Sequence, residues 1–268
     1  MNKTIFITGS TDGIGKLLAI RLANEGYEVL IHGRNPDKVK TVVSEIKASS
    51  KNENIKGFVA DLSDLKAVKR LGMDINERFS KIDVLINNAG IYKSPIETSS
   101  NGLDIRFAVN YFAPFVLTDS LLPLLKNADE GRIINLSSAA QSKVHIGALN
   151  GRARLNASEA YAQSKLALTM WSFYLSEELQ DIEVIAVNPG SLLNTRMVKE
   201  AFGNHWSPAT KGSDILFELA TVKSFKTGTK NYFDNDKGSF SRAHQDAYDS
   251  SLLTQLLDNT NQILNEIL

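Results

Sequence analysis

The sequence predicts one α/β domain built on a doubly wound parallel sheet of about seven strands, with helices on both faces. Three observations carry that expectation. Short β-branched runs alternate with longer helical patterns along all 268 residues, and such alternation builds right-handed βαβ units around a parallel sheet. No linker, repeat or low-complexity tract divides the chain, so a single domain spans 1–268. The glycine-rich and polar breaks fall at the carboxyl ends of the expected strands, where ligands of such sheets bind.

The first expected strand, Ile5–Ile7, runs into Thr8-Gly9-Ser10-Thr11-Asp12-Gly13-Ile14-Gly15 and then a helical pattern through Asn24. Glycines between a strand and a helix permit a tight turn and let the backbone approach a phosphate. The helix N-terminus adds free N–H groups and the positive end of its dipole. Gly9, Ser10, Asp12, Gly13, Ile14 and Gly15 are therefore expected to hold a cofactor's phosphates.

Tyr27–Ile31 is a second strand, ending at His32-Gly33-Arg34. Where dinucleotide-binding folds place an acidic residue for the ribose 2′-OH, about 20 residues past the glycines, this chain has Gly33 and Arg34. A guanidinium suits a 2′-phosphate, so NADP(H) is the expected cofactor and NAD(H) the alternative.

A helix over 37–48 and a strand Ile55–Ala60 lead to Asp61-Leu62, with Ser63 expected to cap a helix near 64–79. Asp61 suits an adenine amino group or a plain loop. A fourth strand, Ile82–Ile86, precedes Asn87-Asn88-Ala89-Gly90, whose small and amide residues suit close backbone approach.

Residues 101–126 read as a helix apolar all round, which must be buried all round. Asn110 is the polar residue in its middle, and Pro114 is expected to kink it. A fifth strand, Arg132–Leu136, ends at Ser137-Ser138, and an irregular polar loop is expected over 139–160. A second helix apolar on several faces follows, from 161 to about Gln180. Strand Val184–Val187 closes at Asn188-Pro189-Gly190, a last strand is expected over Thr229–Phe233, and a C-terminal amphipathic helix over 246–268. Leu192, Leu193, Met197, Phe202 and Trp206 should make a segment near 191–210 an apolar lid. The two apolar helices imply deep burial or a dimer through a four-helix contact.

Within the second apolar helix, Tyr161 and Lys165 are one turn apart and project from one face. A free phenol titrates near pH 10. A neighbouring cation stabilises the phenolate and lowers that pKa, making Tyr161 a usable acid or base.

Composition narrows the function. Lys+Arg and Asp+Glu are both 30, which leaves no footprint for nucleic acid or a polybasic membrane patch. With no cysteine, disulfides, thiolate catalysis and zinc–thiolate sites are excluded. His32, His145, His205 and His244 show no ligand spacing, so no catalytic metal is expected. No apolar run approaches about 18 residues and the chain begins directly with a strand-like run, so a cytoplasmic protein without anchor or signal peptide is expected.

Together these motifs resemble the short-chain dehydrogenase/reductase family over nearly the whole chain, and are similar to its retinol-dehydrogenase-like members. The resemblance implies a Rossmann-like fold and a catalytic tetrad of Asn110, Ser138, Tyr161 and Lys165. Tyr161 would exchange the carbonyl or alcohol proton, and Lys165 would lower its pKa and bind the nicotinamide ribose. Ser138 would bind the substrate oxygen and Asn110 a relay water. Asp61 and Leu62 would meet the adenine, Asn88, Ala89 and Gly90 would back the cofactor, and Pro189, Gly190 and Thr195 would line its nicotinamide side. The implied activity is hydride transfer between NADP(H) and a hydrophobic carbonyl or alcohol, in a homodimer or homotetramer. A non-catalytic nucleotide sensor is the competing class.

Overall fold

The computed structural model describes residues 3–223 and 228–268, and the side chain of Phe202 lies outside the described residues. Strand β1 (Thr4–Ile7) runs into helix α1 (Gly13–Asn24), and β2 (Glu28–Gly33), α2 (Pro36–Ser50), β3 (Ile55–Val59), α3 (Leu65–Arg78) and β4 (Val84–Asn87) follow. Next come the helical turn α4 (Ile105–Phe107), a π turn (Ala108–Phe112), α5 (Ala113–Lys126), β5 (Gly131–Leu136), α6 (Ile146–Leu149), α7 (Ala157–Glu178) and β6 (Ile182–Asn188). The chain finishes with α8 (Arg196–Phe202), α9 (Ala209–Thr221), β7 (Asn231–Asp234), β8 (Ser239–Phe240), a 3-10 turn (Gln245–Tyr248) and α10 (Ser250–Ile267).

The sheet order is β3-β2-β1-β4-β5-β6-β7-β8. There are eight strands among the described residues rather than about seven: β8 is a two-residue antiparallel addition to an otherwise parallel sheet. β1 pairs with β2 through Ile7↔Ile31 and with β4 through Ile7↔Ile86, so the strand order reverses beside β1. That reversal opens a crevice at the carboxyl ends of β1 and β4.

Side-chain alternation along the strands explains the two cores. Ile5, Ile7, Val29 and Ile31 pack with Leu18 and Leu22 of α1 and Leu216 and Leu219 of α9. Phe6 and Leu30 point to the other face, against Leu71 of α3, Phe112 just before α5, Leu121 of α5, and Leu166 and Phe173 of α7.

Helix starts follow local capping chemistry. Asp12 caps α1, Asn35 caps α2 with Pro36 in its first turn, and Asn156 and Glu159 form a capping box on α7. The cap of α3 is Asp64, whose carboxylate accepts from Lys66 and Ala67, and not the expected Ser63. Ser63 instead donates its N–H and hydroxyl to Asp61 at 2.9 and 2.8 Å. The expected loop over 139–160 is interrupted by α6, and α7 starts four residues early because Asn156 supplies its cap. The C-terminal helix starts late, at Ser250 after its cap Asp249.

The helix at 101–126 holds a device that the apolar pattern hides. Ala113 N–H bonds back to Ala108 O, which opens a π turn centred on Asn110. Pro114 sits directly after it, in the first turn of α5, where a missing N–H does little harm. By length and composition Ile105–Lys126 is apolar enough to cross a membrane, contrary to the sequence expectation. In this fold 72% of its most apolar window is buried, as in a core helix.

α10 adds to this burial from outside. Its Leu256, Thr260, Ile263 and Leu264 are buried, and Thr260 shares a 2.8 Å hydrogen bond with the Tyr111 hydroxyl of the π turn. Burial within one chain thus accounts for most of the apolar surface that pointed to a dimer.

Candidate active site

The glycine loop is shaped by close approach. Gly9 and Gly13 take φ of +64° and +53°, which favours glycine. A Cβ on Gly9 would lie 2.9 Å from the Ala89 Cα, and one on Gly15 would lie 2.5 Å from Asn88 Nδ2 and 2.8 Å from Gly9 O. The loop therefore rests directly on the segment after β4. Asn88 Nδ2 donates to Thr8 O at 2.8 Å and Gly9 O at 3.1 Å, and Ala89 N–H donates to Thr8 Oγ1 at 3.0 Å. Asn88 and Ala89 thus brace the loop from behind.

Two further residues hold it. Ser10, fully buried, donates to Ile7 O at 2.8 Å and accepts from His32 N–H at 3.0 Å. Its hydroxyl is committed inside the loop instead of facing a ligand. His32, passed over in the sequence, is a buried strut: Gly9 N–H donates to its Nδ1 at 3.1 Å. That fixes the proton on Nε2, which donates to Ala60 O at 3.1 Å. Burial holds its pKa down to about 4, against 6.5 when free. Unfolded His32 takes up a proton near 6.5 and the folded one only near 4, so this contribution is intact above 6.5 and lost as the pH falls to 4. Wild type should lose ~3 kcal/mol over that range through this group, and His32→Gln much less, in denaturant melts at each pH.

At the end expected for the adenosine, Gly33 touches the loop, since a Cβ there would meet Thr11 Cγ2 at 2.7 Å. Arg34 follows, exposed to solvent. Lys38 Nζ reaches Asp12 at 2.8 Å and holds that carboxyl below its usual pKa. Asp61 is exposed and turned into its own loop by Ser63, and Leu62 beside it is buried.

At the end expected for the nicotinamide, Thr195 caps α8 and its methyl lies 3.8 Å from the Cβ position of Gly13. Gly190 takes φ of +120° after Pro189. Asp236, from the turn between β7 and β8, fastens this loop. It accepts from Ser191 N–H at 3.0 Å, the Ser191 hydroxyl at 2.5 Å, Asn188 Nδ2 at 3.0 Å and Lys211 Nζ at 3.3 Å. Burial opposes its charge, but these donors prevail and pull its pKa to about 2.

In the expected lid, Met197 reaches the site, 3.8 Å from the Cβ position of Gly90. Leu192 takes φ of +48°, and Leu193 is buried against Gly190 and Gly212. Trp206 is 81% exposed and faces solvent rather than the site.

The four tetrad residues do converge. Asn110 is fully buried; its Oδ1 accepts from Ile91 N–H at 2.8 Å, and its Nδ2 donates to Ile91 O and Ser164 Oγ, both at 3.0 Å. Both amide hydrogens are used, which leaves one lone pair on Oδ1 for a water. Ser164 in turn donates to Tyr161 O at 2.7 Å. Ser138 lies close enough to the Tyr161 phenol to oppose the effect of burial on its pKa. The Ser138 carbonyl accepts from Tyr232 at 3.0 Å. Lys165 Nζ donates to Leu136 O at 2.7 Å and lies 5.7 Å from the Tyr161 ring centre. A Cβ on Gly90 would come within 3.3 Å of both Asn110 Oδ1 and Lys165 Nζ, so glycine there lets the two approach.

The electrostatics differ from the sequence expectation that Lys165 lowers the Tyr161 pKa. Burial pushes Tyr161 up, Ser138 opposes this, and the nearby Tyr92 phenol adds to it. Burial also draws Lys165 down to about 7. Burial thus favours the neutral form of both groups here.

A sequence model of the short chain dehydrogenases matches residues 3–206, and the chain belongs to that family. Human retinol dehydrogenase 13 is 37% identical over 193 residues, which cover 70% of this chain and 58% of that protein. The chain thus spans less than two thirds of that relative. Mouse retinol dehydrogenase 12 is 32% identical over 247 residues, covering 88% of this chain and 78% of the relative. Among solved structures, an Escherichia coli CFT073 protein assigned to the short chain dehydrogenases and crystallised with NADPH superposes with a TM-score of 0.72. It is 27% identical, over 88% of this chain and 97% of that one.

Proposed function

We propose that this protein is an NADP(H)-dependent oxidoreductase that reduces a hydrophobic ketone or aldehyde, with Tyr161 as the proton donor. The observation that carries the reading is the convergence of Ser138, Tyr161 and Lys165 beside a glycine loop packed directly on Asn88 and Ala89. The loop suits a dinucleotide: Gly9 and Gly15 let it pack tightly on Asn88 and Ala89, and the free N–H groups of the α1 N-terminus beside it suit a pyrophosphate. When bound, that cofactor supplies the hydride.

The chain's own groups handle the oxygen and its proton. Ser138 and the Tyr161 hydroxyl, close neighbours in the site, can both donate to one carbonyl oxygen. A raised pKa keeps Tyr161 a neutral phenol at pH 7, the form that gives a proton to an oxygen gaining negative charge. Lys165, poised near 7, is suited to return that proton toward Tyr161. Asn110 holds Ile91 and, through Ser164, the backbone of Tyr161, fixing both walls of the site. Arg34, with no carboxylate at its place, supports a 2′-phosphate over a bare ribose. The named relatives act on retinol, a hydrophobic alcohol, and Met197 gives this site an apolar element.

The test is NADPH oxidation over a panel of aliphatic aldehydes, aromatic ketones, quinones, steroids and retinal. Saturable NADPH binding without any turnover favours the sensor class instead. Arg34→Ala should weaken NADPH at least about tenfold while leaving NADH within twofold, by fluorescence titration, as expected for loss of a charge-assisted phosphate contact. An unchanged ratio removes the 2′-phosphate assignment and leaves the NAD(H) alternative.

A further inference from the structure

The loop after β4 places a second aromatic ring against the proton donor. The ring centres of Tyr92 and Tyr161 are 4.9 Å apart and tilted by 52°. Both residues are half-buried, so the pair forms an aromatic wall that is not wholly enclosed.

Three hydrogen bonds from two side chains hold the backbone beneath this contact. Asn110 grips the N–H and the carbonyl of Ile91, the residue before Tyr92. Arg106 Nε donates to the Tyr92 carbonyl at 2.9 Å. Arg106 is itself fully buried and paired with Glu97 at 2.6 Å and Asp104 at 3.1 Å. A buried guanidinium with these partners is costly to move, so the backbone at 91–92 is a fixed mount for the ring.

We propose that Tyr92 is a specificity-determining residue of this site: its clamped ring receives the flat, conjugated group attached to the carbonyl carbon. This rests on the reductase reading. A carbonyl oxygen bonded to Tyr161 and Ser138 brings its nearest substituent beside the Tyr161 ring, and Tyr92 is the aromatic partner there. Planar π-systems gain from offset or tilted stacking on such a wall, whereas a puckered saturated ring offers no π face.

Two matched ketones test it: acetophenone, flat and conjugated, and cyclohexyl methyl ketone, its saturated counterpart. Binding to the full chain with NADP+ present, by equilibrium dialysis, needs no turnover. Wild type should bind acetophenone up to about tenfold more tightly. Tyr92→Phe should keep that preference within twofold and Tyr92→Leu should abolish it. Where turnover is measured, the change should appear in KM, with kcat within threefold. If Tyr92→Leu melts early, Tyr92→Met, which keeps the bulk and lacks the ring, serves in its place. A preference that survives both ring-less variants, or is missing in wild type, overturns the proposal. Failure of the reductase reading shows separately, as absent NADPH binding or as turnover unaffected by Tyr161→Phe.

Discussion

Tyr161→Phe should reduce kcat for carbonyl reduction by roughly 10²–10⁴-fold, the usual worth of a positioned general acid. The substitution removes one oxygen and leaves the ring packed on Tyr92. The Ser138 hydroxyl loses a neighbour but stays anchored by Ala140 N–H at 3.1 Å. NADPH affinity should therefore stay within a few fold in a fluorescence titration, and the melting temperature should hardly move. A parallel loss of NADPH binding would mean that Tyr161 supports the cofactor site instead of the chemistry. Ser138→Ala should cost less, since Tyr161 alone still contacts the oxygen.

Gly15→Ala should be the most damaging small change in the cofactor loop. The added Cβ would lie 2.5 Å from Asn88 Nδ2, 2.8 Å from Gly9 O and 3.0 Å from Ser10 Cα. Two of these atoms are backbone, so the clash cannot be relieved by a side-chain rotation. It pushes apart the bonds from Asn88 to Thr8 and Gly9 that brace the loop. Overpacking of this kind costs about 1–3 kcal/mol. NADPH affinity should fall by up to about 100-fold, because the deformed backbone is the one proposed to bind the phosphates. Gly102→Ala is the contrast: it meets nothing within 4 Å, and its φ of +79° gives only the general strain of a non-glycine there. It should leave NADPH binding unchanged. If Gly15→Ala binds NADPH as wild type does, the phosphates lie elsewhere.

What could be read from the sequence was local. Gly9, Gly13 and Gly15 between a strand and a helix, and Tyr161 and Lys165 one helical turn apart, depend on neighbours within a few residues. The parts that escaped depend on distant partners. His32 braces Gly9 from 23 residues away, Asp236 fastens Ser191 from 45, and Arg106 pins Tyr92 from 14. None of these leaves a periodic signal. Ser63 and Asp64 are both capping residues by type, and only the chain path decides that Asp64 takes the role. The Tyr161–Lys165 spacing is local, whereas the tyrosine's pKa answers first to burial, which one helix's sequence does not reveal. A charge argument treats the lysine as a cation, whereas at 3% exposure Lys165 is driven toward its neutral form. The π turn was hidden because the apolar residues of 101–126 satisfy a continuous helix just as well.

The account turns on whether hydride leaves a bound nicotinamide for a carbonyl carbon beside Tyr161. The most direct measurement uses NADPH deuterated on either face of nicotinamide C4 with a ketone turned over in the panel, and mass spectrometry of the product. The expected result is one deuterium on the new carbinol carbon from one face only, with transfer lost in Tyr161→Phe. NADPH that binds saturably but never passes its label to any carbonyl would contradict the account and make the protein a nucleotide-binding member of the family without this chemistry.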